Sequence, residues 1–308
     1  SSIKNLGDEI MEIKAIPEII KSMDQLIRQG KYDDAYEFGK NNIDLNKEYS
    51  EGEYSFKNIL EEYIFKIFIK DEISKTCPLM LDYSALYSNF AMASIYENQY
   101  EDAERSVELS LKYNPVNVNA LLAKAELSRI KNNWDDFYKL NIKAIKFSYE
   151  SKNLVMAFKN LAIHYLNKDT GKEDNGDLLE ENIKTAIYLA RISGEYDKDS
   201  NKPVSELNYI KNKTDTISNE NIKEKIAEFE KTDLNEIKEY LKSREIPYEA
   251  SIEIITICKT LGFQLDETKK VVPALFYFQK AYDLSKDEAI LDTIAILNEK
   301  IGRVEKSP

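Results

Sequence analysis

The chain has 308 residues, of which only 9 are Gly and 7 are Pro. Turns, bulges and phosphate loops draw on these two residues, so the composition argues against sandwiches, propellers and Gly-fingerprinted dinucleotide folds and for long helices joined by short connections. With 43 basic and 55 acidic residues the net charge is −12, which repels phosphate backbones and speaks against nucleic acid as a partner.

Hydrophobic residues make up 43% of the chain, enough for a sizeable core. The chain opens on Ser1, Ser2 and Ile3 without an apolar leader. No signal peptide is therefore expected, and a cytoplasmic location is, with an upstream segment left open. The apolar window 64–69 is interrupted by Lys66 and followed by Lys70, so no membrane insertion is predicted.

The first strong pattern is Gly30, Tyr32, Asp33, Asp34 and Ala35. It returns as Asn98, Tyr100, Glu101, Asp102 and Ala103, and again as Asn132, Trp134, Asp135, Asp136 and Phe137. The first two copies are 68 residues apart and the next two 34. Gly or Asn tolerates the left-handed conformation that closes one helix. The acidic pair falls in the first turn of the next helix, where the macrodipole favours negative charge. Ala lets two helices approach closely. Phe90, Ala91 and Ile95 before the second copy, and Val107 and Leu111 after it, keep helical spacing, and Pro115 stops the second helix.

These residues resemble the tetratricopeptide repeat (TPR), a helix–turn–helix unit of 34 residues. The likeness is fullest over 84–117, where Tyr87, Phe90, Ala91, Ala103, Val107, Ser110 and Pro115 occupy signature slots and Ser94 replaces the expected Tyr. It implies a unit at 16–49, with Met23, Leu26, Ala35 and Phe38, and one at 118–151, with Leu121, Ala125 and Ala144 but Phe137 at a small-residue slot. A unit over 155–200 runs from Asn160, Leu161, Ala162, Ile163, His164 and Tyr165 to Ala186, with an inserted polar loop at 167–179. A last unit at 255–288 carries Leu261, Gly262, Ala274, Phe278 and Ala281. Residues 50–83 fill the one missing slot without its small residues, and 53–70 read as a single long helix. Residues 201–250 read as a polar linker with helices at 208–212, 221–230 and 234–244. Asp233 with Glu236 forms an N-cap signature there, and Pro247 ends the last helix.

The expected fold is thus all-α: a TPR-like α-solenoid of antiparallel helix pairs with a divergent second slot, an inserted loop and a C-terminal repeat. The expected organisation is an array over 1–200, a linker over 201–250 and a terminal unit with cap over 251–308. The layout is also similar to uncharacterised TPR proteins of low-GC Gram-positive bacteria. Ile246, Pro247 and Tyr248 carry that likeness, with the runs from Ser205 to Ile210 and Ala281 to Leu284. It implies architecture and a bacterial source, with no activity to transfer.

No catalytic set stands out. His164 is the only histidine and lies mid-helix between Ile163 and Tyr165, so it reads as a packed helix residue rather than a general base. Cys77, before Pro78, and Cys258, on an apolar face, read as small core residues in a reducing compartment. One His and two distant Cys supply no metal set, and no cofactor is expected. The acidic pairs recur with the repeat, as helix starts do and catalytic dyads do not. Gly171 and Gly176 have P-loop spacing, but Asp177 and Leu178 stand where Lys and Ser or Thr belong.

Stacked helix pairs make a curved surface whose inner wall comes from each first helix. In TPR phase that wall carries Asn89, Met92 and Tyr96, then Leu122, Glu126 and Arg129, then Lys159, Asn160 and Ile163. Amides among apolar groups suit an extended peptide; the competing reading is that these residues pack against the protein's own C-terminal helices. The chaperone-tail form of the repeat carries a carboxylate clamp, but its slots here include Asp24 and Ala123. The expected function is a non-enzymatic scaffold that binds a peptide or protein segment in this groove. Two alternatives compete: a signalling-peptide receptor of the Gram-positive TPR type, and an enzyme on a helical frame.

Overall fold

The computed structural model describes residues 2–70, 72–73, 75–168, 176–198, 204, 207–215 and 220–306, with side chains from 15 onward and, in the ninth helix, from 179. Among these residues the fold is all-α: fifteen helices, α1 to α15, and one pair of two-residue strands. The chain divides into two compact units, Ser1–Asn133 and Trp134–Pro308. The division falls inside the 118–151 repeat, so its two helices belong to different units.

The first unit holds α1 (Ser2–Arg28), α2 (Tyr32–Asn42), α3 (Ile59–Phe68), α4 (Tyr83–Tyr96), α5 (Tyr100–Tyr113) and α6 (Val118–Ile130). The turn between α1 and α2 and that between α4 and α5 are built alike, as are the turn after α6 and the one at Lys269. Gly30, Asn98, Asn132 and Lys269 are all left-handed, with φ of 71°, 56°, 60° and 61°. Each N–H bonds back to the carbonyl three residues earlier (Ile27, Ile95, Arg129 and Asp266). Each following N–H reaches five residues back, to Leu26, Ser94, Ser128 and Leu265. This double bond satisfies the last carbonyls of a helix. It explains why Gly or Asn recurs at the slot, and Lys269 shows that the geometry persists where neither is present.

The small-residue slots are also filled as expected. Ala35, Ala103 and Ala274 are fully buried. Phe90 joins Met23, Ala35 and Ala93 in one cluster, and Gly39 lies so close that a Cβ would stand 2.3 Å from the Phe90 ring. Polar side chains lock the α4–α5 hairpin from within. Ser84 Oγ donates to the Ser110 carbonyl at 2.9 Å and Ser110 Oγ to the Ser84 carbonyl at 2.7 Å. Asn117 caps α6 by accepting from Ala120 N–H at 3.2 Å, while its amide donates to Ser84 Oγ at 2.8 Å. All three residues are buried, and each polar group has a partner, as burial demands.

The structure corrects the reading of 50–83 in two ways. First, 53–70 is not one helix. Glu53–Tyr54 is strand β1, paired in parallel with Lys75–Thr76, strand β2, and α3 begins only at Ile59. The reason is local: Asn58 is extended and its side chain accepts from Glu61 N–H at 3.0 Å, while Glu61 Oε1 accepts from Lys57 N–H at 2.9 Å. This reciprocal cap starts the helix there. Second, the segment is not interposed between its neighbours. Both α1 and α2 pack directly on α4, so the 68-residue spacing reflects an excursion between helices that touch. The excursion is tied to the end of α5 by Ser55 N–H to the Tyr113 carbonyl at 2.8 Å and by Asn114 Nδ2 to Glu61 Oε1 at 3.0 Å.

The second unit holds α7 (Trp134–Phe147), α8 (Ser151–Asn167), α9 (Gly176–Tyr196), α10 (Asn208–Asp215), α11 (Glu220–Lys231), α12 (Leu234–Ser243), α13 (Ile252–Glu267), α14 (Val271–Ser285) and α15 (Ala289–Glu305). Helix α8 packs on α7 and α9, and α14 packs on α13 and α15. The loop expected over 167–179 is narrower: Asn167 still belongs to α8 and 176–179 to α9, while Gly171 and the rest of 169–175 lie outside the described residues. The three helices expected over 201–250 are present, longer at α10. Asp233 accepts from Asn235 N–H at 2.9 Å to open α12. Pro247 does not end α12; left-handed Glu245 (φ 57°) does, with the same pair of bonds as the repeat turns, to Lys242 and Leu241. Gly262 is required by a close approach, since a Cβ there would stand 2.8 Å from the Phe278 ring.

Candidate functional site: the first-helix faces

In the first unit, α4 and α6 pack side by side, and the residues assigned to the groove keep partial or full exposure. Asn89, Met92, Leu122 and Glu126 are half-buried, and Tyr96 and Arg129 are exposed. Tyr96 is 55% exposed despite its size. It is held by stacking on Tyr32, with ring centroids 3.8 Å apart and planes within 10°. Burial, then the hydrogen bond with Tyr32, holds its hydroxyl above the usual tyrosine range, and the Glu126 carboxylate adds to this. Arg129 forks onto Glu126, with Nε to Oε2 at 3.0 Å and a second bond from Nη2 to Oε1. That bond raises the guanidinium further and fixes the Glu126 carboxylate, which acts on the Tyr96 hydroxyl. The result is a fixed aromatic platform beside a bidentate ion pair, with Met92 and Leu122 on the same two helices.

Tyr32, the ring that stacks on Tyr96, is the residue that the groove assignment missed. Its signal was present as the aromatic slot two residues after the left-handed turn. The slot's other occupants are used differently: Tyr100 donates to Asn98 Oδ1 at 2.8 Å, and Trp134 packs edge-on against Phe137 at 5.4 Å. Asp24, at a clamp slot, pairs with Arg28 at 2.8 Å.

In the second unit Lys159, Asn160 and Ile163 are half-buried on α8. Asn160, assigned to the groove wall, also has a partner within the protein. Its Nδ2 donates to Asn141 Oδ1 at 2.9 Å, and fully buried Asn141 in turn donates to the Phe137 carbonyl at 2.8 Å. Asn160 thus joins α8 to α7. Helix α10 packs on α8, so part of α8 is covered by the chain's own C-terminal region. Lys159 and Ile163 share a face with Lys152 and Met156, at spacings of four, three and four residues, and Met156 is 50% exposed. Helical periodicity from Lys159 would have found both.

The nucleophile and base candidates are placed as packing residues. Cys77 and Cys258 are buried free thiols. Burial, with the Glu53 carboxylate 3.3 Å from Cys77 Sγ, pushes the Cys77 thiol up to about 12, and burial does the same to Cys258. A thiol held there is protonated and inert at neutral pH. His164 packs against Tyr138, with ring centroids 4.6 Å apart. Among the described residues no three or more His, Cys, Asp or Glu converge as a metal would need, and no helix is long and apolar enough to cross a membrane. No family model, curated protein or solved structure matches this chain.

Proposed function

We propose that this protein is a non-enzymatic scaffold of the TPR kind that holds a peptide or protein segment against the exposed faces of its first helices. Support comes from the repeated left-handed turn and buried small residue that pair successive helices. The observation that carries the binding role is the Tyr32–Tyr96 stack, more than half exposed at Tyr96 beside the Glu126–Arg129 pair. A large ring held rigid in solvent offers contact area at little entropic cost, which is what recognition surfaces select. The ion pair alongside supplies both a fixed acceptor and a fixed donor for a peptide backbone. The inert thiols at Cys77 and Cys258 fit a non-catalytic role and a reducing, cytoplasmic setting.

A random peptide library displayed on phage and selected on the full chain tests this. Selected peptides should bind about tenfold or more weakly to Tyr96→Ala. Equal affinity for Tyr96→Ala, or no enrichment, would remove this surface as the binding site.

A further inference from the structure

Residues 137–168 carry six lysines and a single acid, within a chain of net charge −12. The lysines are Lys139, Lys143, Lys146, Lys152, Lys159 and Lys168, and the acid, Glu150, is engaged by Lys280 Nζ at 2.5 Å. Two of the acids on α9, the helix that pairs with α8, are likewise committed, while Glu195 at its far end is exposed. Glu180 bonds Lys225 Nζ at 2.9 Å, and Glu181 bonds Arg244 at 3.1 Å. Helix α10, also packed on α8, brings Lys211 and Lys213 against one acid, Asp215. The segment 137–168 therefore carries a local excess of positive charge, opposite in sign to the whole chain, even though Asp135 at the start of α7 pairs with Lys139 at 3.0 Å.

On α8 this charge is organised. Lys152, Met156, Lys159 and Ile163 form one stripe, exposed at Lys152 and Met156 and half-buried at Lys159 and Ile163. Neither Lys152 nor Lys159 makes an ion pair among the described residues or has an acid one helical turn away, whereas Lys112 pairs with Glu108 at 3.0 Å. Two ammonium groups without an ion pair flank an exposed thioether, an adaptable apolar contact, and half-buried Lys159 can extend the apolar strip with its methylene stem.

We infer that the α8 stripe binds an acidic amphipathic segment of a partner protein, its carboxylates paired to Lys152 and Lys159 and an apolar side chain seated on Met156 and Ile163. This rests on the scaffold reading above and names its partner's chemistry at the second unit. Apolar groups interleaved with point-like ammoniums, rather than aromatic faces with arginine forks, favour a carboxylate-bearing peptide over a single-stranded nucleic acid.

The test uses the full chain and a fluorescein-labelled peptide that alternates Glu with Leu and Met, followed by anisotropy at low and at roughly physiological salt. The expected result is saturable binding that weakens with salt and falls about tenfold in Lys152→Glu/Lys159→Glu. Lys152→Gln/Lys159→Gln should fall less, with an unchanged thermal melt. Lys139→Glu/Lys143→Glu on α7 should bind nearly as well as the parent, and so should Tyr96→Ala, which lies in the other unit. No binding, equal loss in the α7 variant, equal binding of the same peptide with Lys for Glu, or preference for an oligouridylate probe would overturn the inference. Retention of the acidic peptide by a protein whose library-selected peptides ignore Tyr96→Ala would instead overturn the Tyr96 surface alone.

Discussion

Helices α4 and α5 reverse the chain with three residues between them, whereas α2 and α4, which also touch, are separated by forty. In the short connection the backbone does the work: Asn98 goes left-handed and two N–H groups close the helix end. In the long one, side chains take over, with Asn58 and Asp82 capping helices and Glu61 accepting from both Lys57 and Asn114. The contrast teaches that repeat packing depends on the facing residues, here Phe90 against Ala35 and Gly39, and not on how the chain arrives. A long surface excursion costs little extra closure entropy, so a repeat pattern can be interrupted in sequence and continuous in space.

Breaking the facing residues should have the largest effect. Phe90→Ala should cost about 3–5 kcal/mol, read as a lower urea midpoint at unchanged slope. If α2 and α4 did not depend on that ring, the loss would stay near the level of an exposed site.

The excursion ends in a group that couples stability to pH. Asp82 is buried at the start of α4; burial pushes its carboxyl from 3.8 up to about 7, with the Glu61 carboxylate adding to the rise and Ala85 N–H opposing it. The folded state therefore binds more protons than the unfolded between those values, and its stability falls as pH rises from about 4 to about 7. Asp82→Asn keeps the cap acceptor without the charge. It should stabilise the protein by at least ~1 kcal/mol at pH about 8 and flatten this dependence. A parallel pH profile in the variant would assign the effect elsewhere.

Smaller effects separate the turns from one another. Lys269→Gly should gain about 1 kcal/mol by relieving a left-handed side chain, while Asn98→Gly should gain only tenths, because Asn tolerates that conformation. Denaturation midpoints for the two variants check the order, and equal gains would mean that the slot is not strained by Lys.

Most of the helical hairpins were legible because two short-range rules coincide at them: a left-handed slot and an acidic first turn. Asn98, Asn132 and Gly30 announce themselves, and even Lys269 is betrayed by Ala274 five residues on. The excursion was not legible, because apolar residues from Tyr54 to Phe68 have helical density and the Asn58–Glu61 cap that divides them is a side-chain contact. Tyr96 was assigned to the groove by repeat phase, but Tyr32 meets it from 64 residues away in sequence, and no periodicity links the two. The Asn160–Asn141 bond was not legible for a similar reason, since Asn141 sits on a neighbouring helix.

Amide hydrogen exchange of the full chain, with and without a library-selected peptide, tests the scaffold reading most directly. New protection is expected over 89–96 in α4 and 122–129 in α6, with 53–76 unchanged and the pattern lost in Tyr96→Ala. Protection confined to 53–76, or none in α4 and α6 at saturating peptide, would contradict it.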